Sequence, residues 1–123
     1  MALYAGEAVR VRAEIIDPDT NAPFVVAEGD PNPTATIELW APGKNPARDP
    51  DVRSNPDHGP ASMDYRPETS DFIVFVHTRG PGIGPDQSAT PGDKWEPGRW
   101  SFRVTVEGNV FTNWEYGTFS LKA

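Results

Sequence analysis

The chain has 123 residues, no cysteine, 14 prolines, 11 glycines and a formal net charge of −7. This length predicts one domain that can bury a core, and the lack of cysteine excludes a disulfide framework. The acidity disfavours nucleic-acid binding, which depends on Lys and Arg side chains that neutralise phosphates. The high proline content disfavours a helical protein.

The N-terminal residues Met1–Glu7 contain no basic region followed by an apolar run. We therefore expect neither a signal peptide nor a membrane span. Together with the lack of cysteine, this favours a protein that acts where it is made or inside an assembly.

The first predicted strand covers Glu7 to Ile16, where apolar and polar residues alternate. Alternate side chains of a strand point to opposite faces. The predicted inward residues of this strand are Val9, Val11, Ala13 and Ile15. Residues 17–23 are rich in Asp, Asn and Pro and predict a turn. Residues 24–27 predict a short edge strand.

The next predicted strand is Thr34 to Trp40, in which Trp40 has the outward parity. Its inward residues are Ala35, Ile37 and Leu39. Residues 41–60 form the most polar region, and ordered loops of this length are often functional or mobile. Residues 61–66, with Met63 and Tyr65, predict another short strand.

Asp71 to Thr78 predicts a strand that is apolar on both faces, as expected of a central or doubly covered strand. Residues 79–97 form a second long loop, rich in Gly and Pro. The clearest alternation follows between Trp100 and Val106. There the predicted inward residues are Trp100, Phe102, Val104 and Val106.

The C-terminal segment raises a question of strand register. A two-residue turn at Gly108–Asn109 would place Asn113 and Glu115 on the core face, which the cost of burying polar groups disfavours. The sequence therefore predicts a longer turn or a bulge, and a last strand over residues 115–122. The inward residues of that strand are predicted to be Phe119 and Leu121.

These segments predict an all-β fold over residues 1–123, with about seven short strands, no helices and two long Pro/Gly-rich loops. An antiparallel β-sandwich of two sheets fits this pattern best, and an open barrel is the second possibility.

One segment has oxygen ligands at a spacing that resembles a calcium loop. Its candidate ligands are Asp17, Asp19, Asn21 and Glu28. A calcium loop of that type needs glycine where this chain has Ala22, and it needs flanking helices. A plain turn between strands explains the same residues better, so the sequence predicts no metal site and no cofactor.

No segment has the pattern of a catalytic site, and we expect the protein not to be an enzyme. His58 and His77 are the only histidines, too few for a typical zinc site in a chain without cysteine. No serine lies in a Gly-x-Ser-x-Gly turn. Residues 79–84 resemble a phosphate-binding loop but lack its lysine and following helix, which favours a flexible loop.

Aromatic residues outside the predicted core are candidates for an interface. Trp40 has outward parity, and Trp95 and Trp114 fall in or near loops. His58 and Ile83, from the two long loops, complete the candidate interface residues. Tryptophan in such positions either anchors a partner or is covered by loops of the same chain.

Four segments together resemble small immunoglobulin-like virion proteins of tailed bacteriophages. The opening strand and acidic turn resemble theirs, as do a second strand with its Pro-Gly turn, a Pro-Gly-x-Trp strand and a Gly-x-Phe closing strand. These segments are residues 6–19, 36–43, 97–104 and 117–121. The chain departs from that pattern in its long loops at 41–60 and 79–97. The resemblance implies that the core includes Val9, Val11, Trp100, Phe102 and Phe119.

The resemblance implies a non-enzymatic virion protein, assembled in the cytoplasm of a host bacterium and binding other virion proteins in symmetric copies. Capsid decoration is the first expectation, and a place in the neck, head–tail connector or tail is the second. The same pattern occurs in immunoglobulin-like modules of bacterial surface and carbohydrate-active proteins. A carbohydrate-binding or adhesin module is therefore the alternative. No nucleic acid or membrane partner is expected.

Overall fold

A computed structural model of the protein describes residues 3–14, 16–17, 22–23, 33–84, 91–108 and 112–123. Its strands are β1 (Val9–Glu14), β2 (Ile16–Asp17), β3 (Ala22–Pro23), β4 (Thr34–Trp40), β5 (His58–Ser62), β6 (Asp64–Arg66), β7 (Asp71–Val76), β8 (Ile83–Gly84), β9 (Gly98–Glu107) and β10 (Thr112–Leu121). One short helix, α1, spans Pro50–Arg53.

The main strands form two antiparallel sheets. In the first sheet, β7 is central, with β1 on one side and the short strands β6 and β8 on the other. The second sheet has the order β10-β9-β4-β5. Strands β2 and β3 form a separate small hairpin. This arrangement confirms the predicted all-β sandwich, and β7 takes the central position, one of the two alternatives predicted for it.

The inner faces of the two sheets meet in one hydrophobic core. The buried residues that the second sheet contributes are Ala35, Ile37, Leu39, Trp100, Val104, Val106 and Leu121. The first sheet contributes Val11, Phe72, Val74 and Val76. Val9, Ala13, Phe102 and Phe119 are partly buried against this cluster. The inward residues predicted from alternation are therefore confirmed, except Ile15, which lies outside the described residues.

The chain crosses from one sheet to the other at a single residue. Strand β5 belongs to the second sheet and β6 to the first, and only Met63 lies between them. Met63 is 6% exposed, and its N–H donates to the carbonyl oxygen of Ala35 at 2.9 Å. The predicted single strand over 61–66 is thus two strands, divided at this crossing.

The polar region after β4 contains the helical turn α1, where the sequence predicted no helix. The Asp49 carboxylate caps α1 by accepting from the backbone N–H of Asp51 at 3.0 Å. Pro50 opens the helix, as its fixed backbone angle allows. A single turn with no buried residue has no amphipathic pattern that a sequence could show.

The turn of the last hairpin is longer than two residues, as predicted. The strands nevertheless pair with the same parity that a two-residue turn would give. Glu107 pairs with Thr112, and Glu115 pairs with Val104 on the core-facing side. Strand β10 therefore begins at Thr112, before the predicted start. Glu115 is nevertheless exposed, because β10 is the edge of its sheet. Gly117, opposite Phe102, leaves room for that ring: a Cβ there would lie 2.8 Å from Phe102 Cε1.

A buried carboxylate joins three strands of the first sheet. Asp71, at the start of β7, is 0% exposed. It accepts hydrogen bonds from Arg66 of β6 at 2.7 and 2.8 Å, from Thr69 at 2.6 Å and from Arg12 of β1. Arg66 above all, with Thr69 and Arg12, holds the pKa of Asp71 well below its ordinary value of 3.8, although burial acts in the opposite direction.

We expect Asp71→Asn to lower the melting temperature by roughly 10 °C, because it leaves two guanidinium groups without their shared carboxylate. Asp64→Asn, an exposed neighbour in β6, is the control and should change the melting temperature little.

The same cluster predicts how stability depends on pH. Since the folded pKa of Asp71 is depressed, its contribution to the free energy of unfolding is present above pH 3.8 and is lost as the pH falls below that value. Wild-type stability should therefore decline more steeply in that acid range than that of Asp71→Asn; equal slopes would contradict this assignment.

Candidate interaction surface

The outer face of the second sheet is formed by the side chains of β4, β9 and β10 that point away from the core. Strand register places these residues in rows across the sheet. The rows are Trp114–Thr105–Thr36, Tyr116–Arg103–Glu38 and Thr118–Ser101–Trp40. We call this set of side chains the outer face.

Trp114 is the most exposed tryptophan of the protein and lies on the outer face. Its exposed fraction is 58%, whereas those of Trp40, Trp95 and Trp100 are 0%, 6% and 3%. Tyr116, two residues along the same strand, is half-buried. Of the four tryptophans, Trp114 therefore has the greatest area available to a partner.

Arg103 occupies the middle of the outer face. Its Nη2 and Nε donate to Glu38 Oε1 at 2.6 and 3.1 Å. Its guanidinium carbon lies 5.9 Å from the ring centres of both Trp40 and Tyr116. Burial acts to lower the pKa of Arg103, but Glu38 and Tyr116 together outweigh it and hold that pKa above its ordinary value. Arg103 thus stays charged and is held in place.

Trp40 has the predicted outward parity, and of the two alternatives for its ring the structure shows cover by a loop of the same chain. The segment 41–57 folds over its ring, and Trp40 Nε1 donates to the carbonyl oxygen of Val52 at 2.6 Å. The ring is 0% exposed. Trp40 is therefore the covered end of the outer face and presents no area to a partner.

Hydrogen bonds hold the segment 41–57 in this position. The Asp57 carboxylate accepts from the N–H of Ala41 at 2.8 Å and from Lys44 Nζ at 2.8 and 3.0 Å. Arg53 donates to the carbonyl oxygens of Pro46 and Ala47 at 2.9 and 3.1 Å. The first long loop is thus a bonded cover over Trp40.

The other candidate residues lie at a second place, where β5 and β8 come into contact. His58 opens β5, where the sequence predicted a loop, and stacks on Trp95 with ring centres 4.1 Å apart. Trp95 stacks in turn on Trp100 at 4.5 Å. Trp95 is buried, and half-buried Ile83 packs against the core. Of the two alternatives for Trp95, an interface anchor or a ring covered by its own chain, the structure shows the second.

The described parts of the second long loop, residues 79–84 and 91–97, also make contacts with a tryptophan. Trp95 Nε1 donates to the carbonyl oxygen of Gly80 at 3.0 Å. The backbone N–H of Trp95 donates to the carbonyl oxygen of Thr78 at 2.8 Å. Gly82, at φ +83°, lies against the ring, since a Cβ there would be 2.8 Å from Trp95 Cη2. Residues 83–84 form β8, so this part is a strand and not the predicted flexible loop.

Burial at this stack favours the neutral form of His58. Burial lowers the pKa of His58 below its ordinary value of 6.5, and the nearby Asp57 only partly offsets that effect. A neutral imidazole beside two indole rings favours packing over charge-based recognition.

The candidate calcium loop is largely outside the described residues, which include none of Asp19, Asn21 and Glu28 and no side chain of Asp17. Asp17 and Ala22 pair in the β2–β3 hairpin. Within the described ranges, no group of three or more His, Asp or Glu residues could hold a metal ion. The described residues also contain no helix long and apolar enough to cross a membrane.

Arg103, Glu38 and Tyr116 are parts of the outer face that the sequence analysis did not select. Each has outward parity on its strand. The sequence showed that parity for Glu38 and Arg103 by the alternation around Leu39 and Val104, and for Tyr116 by its parity opposite to Phe119. The sequence did not indicate that β4 pairs with β9, and it is this pairing that brings Glu38 to Arg103.

Comparisons with known proteins found no match to this chain among protein-family models, curated proteins or solved structures.

We expect Gly82→Ala to destabilise the protein much more than Gly43→Ala, measured as melting temperature. Both glycines have positive φ, +83° and +89°, so both substitutions strain the backbone by about 1 kcal/mol. Only Gly82 lies against Trp95, whereas nothing lies within 4 Å of a Cβ at Gly43. The overlap should add about 2 kcal/mol. Equal losses would mean that Trp95 does not occupy this position.

We expect Trp114→Phe to remove most of the acrylamide quenching of tryptophan fluorescence. Collisional quenching requires access, and Trp114 is 58% exposed while Trp40 is 0% exposed. Trp40→Phe is the matched control and should leave the quenching constant nearly unchanged. The reverse result would contradict both the exposure of Trp114 and the cover over Trp40.

Proposed function

We propose that this chain is a non-enzymatic structural protein of a tailed-phage virion that binds other virion proteins through the outer face. The class comes from the resemblance of four segments to immunoglobulin-like virion proteins. Those segments contribute to β1, β4, β9 and β10.

The observation that carries a binding role is the exposed Trp114 beside Tyr116 and Arg103. Trp, Tyr and Arg are the residues most enriched where alanine substitution costs a protein interface most. Here all three lie on neighbouring strands of one sheet, and the Arg103–Glu38 contact at 2.6 Å fixes the middle of the set. A preorganised set of anchors loses little side-chain entropy on binding.

Within a virion, we propose decoration of the capsid as the first location and the neck or tail as the second. A decoration protein needs a stable platform with one adhesive face. The two-sheet sandwich supplies the platform, and the outer face supplies the contact. Symmetric copies are part of the proposal, because each copy would meet an equivalent site on the particle.

The alternative is a carbohydrate-binding module, and a separate observation favours it. Trp114 and Tyr116 alternate on one strand, so their side chains leave the same face from Cα atoms about 7 Å apart. Aromatic rings arranged in this way can stack on successive sugars. Titration with cell-wall polysaccharides separates the two proposals, since sugar stacking should change the fluorescence of Trp114 and capsid binding needs no sugar.

The proposal is tested by mixing the protein with purified empty capsids of the phage that encodes it and measuring co-sedimentation. We expect saturable binding at micromolar concentration, reduced at least tenfold by Trp114→Ala. Arg10→Ala, an exposed residue on β1 of the other sheet, is the control and should bind like the wild type. No binding by the wild type would remove the decoration role, and binding unaffected by Trp114→Ala would remove the outer face as the contact.

A further inference from the structure

We propose that one end of the outer face, formed by Arg99, Lys122 and Tyr4, binds an extended protein segment that carries two carboxylates at alternate positions. We call these three residues the cationic end. The inference deepens the proposed function, because it names the chemistry of the surface that the outer face contacts. It rests on that function for the partner being a virion protein, whereas the chemistry follows from the charges of the face.

The outer face continues beyond the row of Trp40 toward the end of β10. Arg99 of β9 pairs with Ser120 of β10, and Lys122 follows two positions later on the same side of the chain. A residue and the diagonal neighbour of its cross-strand partner lie about 7–8 Å apart. Arg99 and Lys122 are therefore neighbours on this face, and both are exposed.

Residues 3–5 extend the sheet beyond Lys122. The N–H of Lys122 donates to the carbonyl oxygen of Leu3, and its carbonyl oxygen accepts from the N–H of Ala5, both at 2.8 Å. Leu3 and Ala5 pack against the core, so Tyr4 between them points to the outer face. Tyr4 pairs with Lys122 and is 47% exposed. It therefore places an aromatic ring beside the two cations.

Arg99 and Lys122 take part in none of the ion pairs of the described residues. Arg103, the third cation of the outer face, is paired with Glu38. Glu107, the other carboxylate on this face, lies about 27 Å along β9 from Arg99. Charges that far apart are screened at physiological salt, where the screening length is about 8 Å. The cationic end is therefore a local excess of positive charge.

Two carboxylate residues of the second long loop lie on the other side of β9. The carbonyl oxygen of Asp93 accepts from the N–H of Gly80, which follows β7, at 2.9 Å. The carbonyl oxygen of Glu96 accepts from the ring of Trp100, which points into the core, at 3.0 Å. Both residues are therefore held on the core side of β9 and not on the outer face.

Glu7 is the carboxylate that the N-terminal segment brings toward the cationic end. Its Oε1 accepts from the backbone N–H of Tyr4 at 3.3 Å. Two further cations lie against the same segment, since a Cβ at Gly6 would be 2.9 Å from Arg79 Nη2 and 3.1 Å from Lys94 Cγ. Glu7 is therefore one opposing charge with cations of its own nearby.

Charge complementarity identifies the partner of the cationic end. Two adjacent cations attract carboxylates, whereas the net charge of −7 of the whole chain repels them elsewhere. An acidic segment is thus steered to this end of the outer face. Alternate side chains of an extended peptide lie about 7 Å apart on one side, which matches the spacing of Arg99 and Lys122. Two carboxylates at alternate positions can therefore meet one cation each.

The experiment titrates the wild-type chain with a capped peptide, Gly-Glu-Gly-Glu-Gly, and follows the backbone amide shifts by NMR. We expect a dissociation constant on the order of 1 mM at about 0.01 M salt, with the shifts centred on residues 99 and 122. Binding should weaken severalfold at about 0.15 M salt because the charges are screened. The control peptide with glutamine in place of both glutamates should not bind.

Charge removal tests the residues. Arg99→Gln combined with Lys122→Gln should weaken peptide binding roughly tenfold, since two exposed ion pairs are lost. Arg10→Gln combined with Arg48→Gln removes the same charge from exposed positions elsewhere and should bind almost like the wild type. Glu7→Gln removes the opposing charge and should strengthen binding about threefold. Melting temperatures confirm that each variant is folded.

Each contrary result overturns the inference: equal binding of the glutamine peptide, full affinity of the folded variant without Arg99 and Lys122, or shifts centred elsewhere. Trigalacturonate, whose carboxylates are carried by sugars, is the competing probe. If it binds more tightly than the glutamate peptide, the occupant is an acidic polysaccharide and the protein segment is wrong.

The capsid assay separates this inference from the proposed function. Capsid binding that the combined Arg99→Gln and Lys122→Gln variant leaves unchanged removes the cationic end and keeps the virion role. Binding of the glutamate peptide by a chain that does not bind capsids keeps the cationic end and removes the decoration role.

Discussion

Two buried indole rings, Trp40 and Trp95, position the described parts of the two long loops. Trp40 points away from the core on β4, so the segment 41–57 must supply its cover, and Val52 accepts its N–H. Trp95 stacks on Trp100, and the segment around Gly80 accepts its N–H. Large aromatic rings are costly to leave in water, and their N–H groups need an acceptor when buried. The described part of each long loop covers one ring and supplies an acceptor for its N–H.

Much of the fold was predictable because alternation is a local signal. The inward residues of β4 and β9 were assigned from neighbouring positions alone, and the structure confirms Leu39 and Val104 as core. The cover over Trp40 depends on Val52, in a helical turn too short to leave a pattern. The Asp71 cluster joins Arg12 to a residue 59 positions away. Such contacts depend on strand pairing, which sequence alternation does not specify.

The candidate surface was predictable only in part, for the same reason. The alternation of β4 predicted that Trp40 points outward. It did not predict which of the outward rings other segments of the chain would cover. Trp114 is exposed, whereas Trp95 is buried between His58 and Trp100. Arg103 joins the surface through Glu38, which lies 65 residues away in the chain. A working face of this kind is a property of neighbouring strands, and no single segment contains it.

The pairing of Leu3 and Ala5 with Lys122 has a mechanical consequence. The bridge at Tyr4 is parallel, so the two chain ends leave it in opposite directions. A force that pulls the ends apart therefore acts along the strands and loads both 2.8 Å hydrogen bonds at the same time. Bonds loaded together must break together, whereas bonds at the open end of a hairpin separate one after another. The segment that covers the end of β10 would thus also resist stretching of the domain.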